Sequence, residues 1–383
     1  MSILQRESWE DIPDLNLDIL RGIYAIGFEK PSAIQGKAIE PIMKKDNVIA
    51  QAQSGTGKTG AFTIGGLHLI DTKKNVTQLL ILLPTRELAF QVHDVLSQLS
   101  KFIKNISHYL LVGGTSVNEN ISYLKKNTPH IIVGCPGRIL DMVEKNVLNV
   151  NDVSCIIMDE ADEMLSYGFK IQINTLLGKV KNKPQICLFT ATISNQLNKL
   201  IDELIENPVK ILVKQEMLTL EGISQYYVAF DVENQKYDAL KDLYNSITLS
   251  QTIIYCNSLR KVEYLYQLMI NDQFPVCCIH SNMQKNERMN VFKEFKNGKY
   301  RVCISSNVTA RGIDIQQVST VINYDIPKDI HTYLHRIGRS GRWGRKGNAI
   351  NFITKDDIYL MKSIETYYNT QINELPGSFV TNS

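Results

Sequence analysis

Eight consecutive residues, Ala52-Gln-Ser-Gly-Thr-Gly-Lys-Thr59, carry the first chemistry legible in this 383-residue chain. They follow an apolar run at 48–50 and precede a helical run at 60–70, the setting a phosphate-binding loop requires. Gly55 and Gly57 let the backbone from Ala52 through Gln53, Ser54 and Thr56 curl until its N–H groups point at phosphate oxygens. The start of the following helix adds positive potential. Lys58 is expected to reach the terminal phosphates, and the Thr59 hydroxyl to ligate Mg²⁺. A second cluster supplies acids: the apolar run 155–158 leads into Asp159-Glu160-Ala161-Asp162. Asp159 would hold Mg²⁺ through its water shell, and Glu160 would orient or deprotonate an attacking water. Alone, such a quartet is a solvated loop. Behind a buried strand, and downstream of a phosphate loop, it is that loop's acidic partner.

Positioning these groups takes a parallel sheet covered by helices, and the sequence is patterned for two of them. Short apolar runs at 48–50, 79–83, 109–112, 131–134, 155–158, 186–189 and 211–213 alternate with amphipathic stretches. Leu88, Val92, Val95, Leu96, Leu99 and Phe102 recur at helical spacing between two of the runs. The pattern restarts at 226–230, 253–256, 276–279, 302–305, 318–323 and 349–353. Residues 214–222 are polar, lack strong periodicity and read as a linker. The expected organisation is an α/β domain over 1–213, the linker, and a second α/β domain over 223–383. Hydrophobic residues at 44% and charged residues at 21% are globular values, which excludes wholesale disorder. A net charge of +3 excludes a polybasic binder while permitting a local basic groove. No apolar run approaches the roughly 18 residues of a membrane span, and residues 1–7 lack the apolar core of a signal peptide. A soluble, cytoplasmic monomer is expected. Seven cysteines, an odd number without a CxxC pair, fit reduced packing residues better than disulfides or zinc ligands. His331 and His335 share helical spacing but lack a third ligand nearby in sequence.

Further motifs make a resemblance specific. Asp-Glu-Ala-Asp is the signature of the DEAD-box RNA helicases, and the chain resembles that family from about Trp9 to its C-terminus. The segment 7–35, with Trp9 and Gly27-Phe-Glu-Lys-Pro-Ser-Ala-Ile-Gln35, resembles the adenine-reading Q motif, so Phe28, Lys30 and Gln35 are implied nucleotide contacts. Pro84-Thr-Arg-Glu-Leu88, Gly113-Gly114 and Pro136-Gly-Arg138 match segments that contact RNA, through Pro84, Arg86, the two glycines, Pro136 and Arg138. In the second half, Ala310-Arg-Gly-Ile-Asp314 and His335-Arg-Ile-Gly-Arg-Ser-Gly-Arg342 match motifs that face ATP, which implicates Asp314, Arg339 and Arg342. Arg21-Gly-Ile-Tyr-Ala25 and Gln316-Gln-Val-Ser319 are most similar to the translation-initiation and exon-junction members. The resemblance implies two RecA-like domains in tandem, ATP and Mg²⁺ as cofactors, and ATP sandwiched between the domains. By residues alone, Arg336, Arg339 and Arg342 could bind solvent or RNA phosphates; the resemblance favours Arg339 and Arg342 as arginine fingers on the γ-phosphate.

Several positions depart from the family pattern. Cys135 stands for the usual Thr, Lys285 for the Gln of a Gln-x-x-Arg motif ending at Arg288, and Ser306-Asn307 for Thr-Asp. Thr190-Ala-Thr192 stands for Ser-Ala-Thr, and the Thr190 hydroxyl is expected to bond the acidic loop near Asp162. Thr190, Thr192, Asp162 and His335 are the expected coupling residues. Arg86, Arg138, Lys285, Arg288 and Ser306 can pair with RNA phosphates, and no aromatic base-stacking motif is visible, so recognition should tolerate any sequence. The reading is an ATP-dependent RNA helicase that opens short duplexes, with a role in translation initiation and a helical-repeat scaffold as partner. The rival is an ATP-dependent RNA clamp with little turnover. A GTPase fails because Asn182-Lys-Pro-Gln185 lacks the Asp of a guanine reader.

Overall fold

The structure, a computed structural model, describes residues 6–52, 55–165, 169–193, 195–212, 223–247, 251–307, 318–340 and 347–377. Contacts divide the chain into two compact units, residues 1–213 and 214–383. The expected linker, 214–222, lies outside the described residues.

In the first unit a turn of 3-10 helix at Trp9–Asp11 precedes α1 (Leu17–Ala25) and α2 (Ala33–Met43). Strands and helices then alternate: β1 (Val48–Gln51), α3 (Lys58–His68), β2 (Leu79–Leu82), α4 (Arg86–Leu99), β3 (His108–Leu111), α5 (Val117–Lys126) and β4 (Ile131–Gly134). The remainder comprises α6 (Pro136–Glu144), β5 (Cys155–Asp159), α7 (Ala161–Met164), α8 (Lys170–Lys179), β6 (Gln185–Thr190), α9 (Asn195–Leu204) and β7 (Val209–Leu212). The strands form one parallel sheet in the order β3-β4-β2-β5-β6-β1-β7. β2, β4, β5 and β6 are buried along their whole length, which is why they read as continuous apolar runs rather than alternating ones. Two apolar clusters, one on each face, share these strands: Leu79 and Ile81 face one, Leu80 and Leu82 the other.

The second unit repeats the plan with β8 (Ile223–Phe230), α10 (Gln235–Ile247), β9 (Gln251–Tyr255), α11 (Leu259–Asn271), β10 (Val276–Ile279), α12 (Lys285–Lys296) and β11 (Val302–Ser305). It closes with β12 (Val318–Asn323), α13 (Ile330–Ile337), β13 (Gly347–Thr354), α14 (Ile358–Tyr368) and the short β14 (Asn373–Glu374). Its parallel sheet runs β10-β11-β9-β12-β13-β8-β14. Two seven-stranded parallel sheets with flanking helices are the expected RecA-like pair. The sequence pattern located every strand except β14, whose two exposed residues, Asn373 and Glu374, carry no apolar signal.

All seven cysteines are free thiols. No helix among the described residues is long and apolar enough to cross a membrane.

Candidate nucleotide and RNA sites

In a parallel sheet all strands end on one side, and ligands gather at those carboxyl ends. Strand order therefore decides which motifs meet. The phosphate loop follows β1, the Asp-Glu-Ala-Asp loop ends β5, and Thr190-Ala-Thr192 ends β6, the strand between them. The Arg86, Gly113-Gly114 and Arg138 segments follow β2, β3 and β4 on the other half of the same edge. One edge thus carries both sets of motifs side by side.

On the first half, Gly57 takes φ 99° and caps α3, whose N-terminus opens beside Lys58 and Thr59. Lys58 is 6% exposed, and its ammonium has no hydrogen-bond partner. A buried, unpartnered cation at a helix N-terminus fits the terminal phosphates of a nucleotide. Asp159 is buried beside it; burial pushes its carboxyl up to about 7, against the pull of the Lys58 ammonium. Asp159 accepts the Glu160 N–H at 2.9 Å, and Glu160 holds a left-handed backbone, φ 52°, that non-glycine residues seldom adopt. The donor set of Thr59 hydroxyl and Asp159 carboxylate consists of hard oxygens, the type Mg²⁺ prefers.

Gln35 reaches this loop from α2. Its amide accepts from the Ser32 N–H at 2.7 Å and donates to the Gly57 carbonyl at 3.2 Å. The fit is close enough that a Cβ on Gly60 would stand 2.5 Å from Gln35 Nε2 and 3.1 Å from the Phe28 ring. Trp9, fully buried, stacks on Phe28 with ring centroids 6.3 Å apart and donates its indole N–H to the Phe28 carbonyl at 3.0 Å. The segment around Phe28 is thereby pinned over the phosphate loop, while Lys30 stays exposed. Gln53 and Ser54 lie outside the described residues.

One expectation is corrected here. The Thr190 hydroxyl does not reach the acidic loop; it donates to the Thr192 carbonyl at 2.8 Å and accepts the Thr192 N–H at 3.3 Å. Thr192 makes the expected link instead, its hydroxyl donating to Asp162 Oδ2 at 3.0 Å. A local closure is the reason: residue 190 ends β6 and its hydroxyl bonds the backbone two residues on, which leaves the residue 192 hydroxyl to meet the acids.

On the second half of the edge, the Arg86 guanidinium lies against Gly113 and Gly114, and a Cβ on Gly114, at φ 76°, would overlap it. Pro84 is buried at the end of β2. Arg138, near the start of α6 behind Cys135 and Pro136, donates to the Thr115 hydroxyl at 3.0 Å, to the Thr115 carbonyl at 3.1 Å and to Asn120 Oδ1. Cys135 occupies the N-cap of α6 without a side-chain cap bond, and burial pushes its thiol up to about 12. Sequence reasoning missed Thr115, Asn120 and Tyr109 in this network; the signal available was Asn120 on the otherwise apolar face of an amphipathic helix.

The second unit divides its edge likewise. Arg288 lies on α12, which follows β10, and Ser306 follows β11, the neighbouring strand. The Lys285 side chain, Asp314 with the rest of 308–317, and Arg342 with the rest of 341–346 lie outside the described residues. Arg339 follows α13 and donates Nε–H to the His335 carbonyl at 3.2 Å. Arg336 is no phosphate ligand. It is fully buried over the Tyr255 ring and donates to Asn307 Oδ1 twice (2.9 and 2.7 Å), Asn257 Oδ1 (2.8 Å), Asn323 Oδ1 (3.1 Å) and the Asp325 carbonyl (2.7 Å). It ties together the ends of β9, β11 and β12.

Comparison with known proteins fits this geometry. Residues 32–200 match the DEAD/DEAH box helicase domain, and residues 235–344 match the helicase conserved C-terminal domain. The ATP-dependent RNA helicase eIF4A of Coccidioides immitis is 46% identical over 366 residues, covering 96% of this chain and 92% of that protein. The chain belongs to the DEAD-box RNA helicases. The helicase FAL1 of Vanderwaltozyma polyspora is 47% identical, over 96% of this chain and 92% of its own length. Dbp5 of Saccharomyces cerevisiae, solved bound to RNA and ADP BeF3, has a TM-score of 0.92 at 32% identity, covering 97% of each chain. As a DEAD-box helicase, the protein is an ATP-dependent enzyme of two RecA-like domains, and the low-turnover clamp is not the favoured alternative.

Proposed function

We propose that this chain is an RNA-stimulated ATPase that opens short RNA duplexes in translation initiation, with ATP held between its two units. The observation that carries the reading is the buried, unpartnered Lys58 ammonium beside buried Asp159, at the mouth of a loop that Gln35 clamps. Gln35 keeps one amide N–H and one carbonyl lone pair beyond its two bonds, enough to read an adenine edge. Thr59 and Asp159 would hold Mg²⁺, which when bound would neutralise phosphate charge. Glu160 would orient the attacking water and take its proton, and Arg339 and Arg342 would steady the γ-phosphate from the second unit. Hydrolysis removes the charge that holds the units together and releases RNA.

Pro84, Arg86, Gly113, Gly114, Pro136 and Arg138 in the first unit, and Lys285, Arg288 and Ser306 in the second, would take the RNA backbone without reading bases. Relatives named as eukaryotic initiation factor 4A support the translation role. The proposed working form is a cytoplasmic monomer. A net charge of +3 gives little grip on RNA between cycles. A helical-repeat scaffold touching both units would raise the fraction poised to close, and hence the apparent affinity, without new RNA contacts. The test is Glu160→Gln: the amide keeps the shape but is no base, so turnover should fall at least about a hundredfold while ATP and RNA stay bound. Loss of ATP and RNA binding together with turnover would overturn the assignment of Glu160.

A further inference from the structure

Arg138 is held entirely by neutral acceptors: the Thr115 hydroxyl, the Thr115 carbonyl and the Asn120 amide oxygen. Asn120 is itself fixed at both ends. It is 4% exposed, Oδ1 also accepts from the Thr115 hydroxyl at 3.2 Å, and Nδ2 donates to the Tyr109 hydroxyl at 3.0 Å. Tyr109 in turn stacks flat on Tyr123, centroids 3.8 Å apart and planes 7° from parallel. A guanidinium has five N–H donors. Two Nη1 bonds and one Nη2 bond leave Nε–H and the second Nη2–H, the two donors along one edge, in the arrangement that grips a phosphate bidentately.

An arginine tethered by a carboxylate would spend much of its charge on the tether. An amide of the same shape gives the same orientation and leaves the charge whole. We propose that Asn120 is a positioning residue of the RNA site, a buried amide that aims the free edge of Arg138 at the RNA backbone while leaving its full charge for one phosphate. The inference rests on the proposed RNA-binding role of Arg138 and adds the residue that sets its strength.

Asn120→Asp is the decisive variant because it is isosteric. Tyr109 O–H can turn to donate to the introduced carboxylate, so the tether survives while its charge changes. Affinity for a short uridine oligonucleotide, with a non-hydrolysable ATP analogue present, is measured by anisotropy from about 50 to 300 mM KCl. Asn120→Asp should bind about tenfold more weakly at the low-salt end, and its slope of log affinity against log salt should shrink by about 0.7, one single-strand phosphate contact. Arg138→Ala should show the same loss of slope, and adding Asn120→Asp to it should change nothing further. An unchanged affinity and slope in a folded Asn120→Asp chain, judged by its melting temperature, would overturn the proposal. So would a loss that persists undiminished in the Arg138→Ala background, or an intact slope in Arg138→Ala alone, which keeps the test decisive if Asn120→Asp does not fold. Absence of RNA binding by the unsubstituted chain would instead refute the functional reading on which the proposal stands.

Discussion

Asn307 offers a test of how a buried cation is stabilised. Arg336 is fully buried, and its acceptors are three Asn side chains and a backbone carbonyl. Burial draws its guanidinium down from the ordinary arginine range to about 10, a penalty of about 3 kcal/mol against the charged form. The nearby Asp325 carboxylate is engaged elsewhere, accepting the Asn257 N–H at 2.9 Å and pairing with Lys261. Asn307→Asp would place a charge on the atom that already receives Nε–H and Nη2–H. Residue 307 is exposed on its other side, so the carboxylate keeps part of its hydration. Hydrogen bonds to charged groups contribute about 1.5–3 kcal/mol against about 0.5–1.5 for neutral ones, so the expected gain is about 1–2 kcal/mol. For a unit of this size that raises the melting transition by about 2–8 °C.

Calorimetry on the full chain reads the shift, and a double-mutant cycle with Arg336→Lys isolates the pair. The introduced carboxylate has its folded pKa depressed by Arg336. Its contribution is therefore complete above the ordinary Asp value of about 3.9 and lost as pH falls below it. The gain should be equal at pH 6 and pH 8, since Arg336 is charged at both. An unchanged or lower transition in Asn307→Asp would refute the argument that Arg336 lacks a directly bonded counter-charge.

Gln35→Ala should both relax discrimination of ATP from GTP and weaken ATP binding, because the same amide holds the Gly57 carbonyl; competition binding with the two nucleotides measures both, and retained preference would remove Gln35 as base reader. Thr192→Val cuts the bond to Asp162 and should lower strand separation more than RNA-stimulated ATP turnover. Thr190→Val leaves that bond in place but orphans Thr192 backbone groups, so it should cost about 1–3 kcal/mol of stability and depress both assays equally. Cys135→Thr supplies an N-cap acceptor that α6 lacks and should raise stability by about 1 kcal/mol, read as a higher melting temperature.

The motifs were legible because each is contiguous. A phosphate loop needs Gly, Lys and Thr within eight positions, and the strand before it is apolar for a local reason, burial on both faces. Strand order was not legible in the same way. Which motif stands beside which depends on β6 inserting between β5 and β1, a crossover that no local pattern encodes. The Thr190 expectation fails for a more local reason: motif identity gives the hydroxyl to the acids, whereas the turn after β6 closes it onto the Thr192 backbone.

The least legible residues are those that hold arginines in place. Asn323 ends β12 after Val321 and Ile322, and Asn351 sits between Ile350 and Phe352 in β13, so in sequence each looks like a flaw in a buried run. In the sheet β12 lies beside β13, so Asn323 and Asn351 become register partners and bond at 2.8 Å. Asn351 continues to the Tyr226 carbonyl at 2.9 Å and Tyr333 at 3.2 Å, and Tyr333 to Gln225 at 2.8 Å. A buried polar side chain is costly unless every donor and acceptor is met. An Asn inside an apolar strand is therefore a statement that a partner exists on a neighbouring element, even when the sequence does not say which. Read that way, Asn323 and Asn351 point to Arg336, and the same argument carried to Asn120, buried on α5, points to Arg138. Neutral amides can orient a cation without consuming its charge, which suits Arg138 in its proposed contact with a phosphate and taxes Arg336, which is buried away from any.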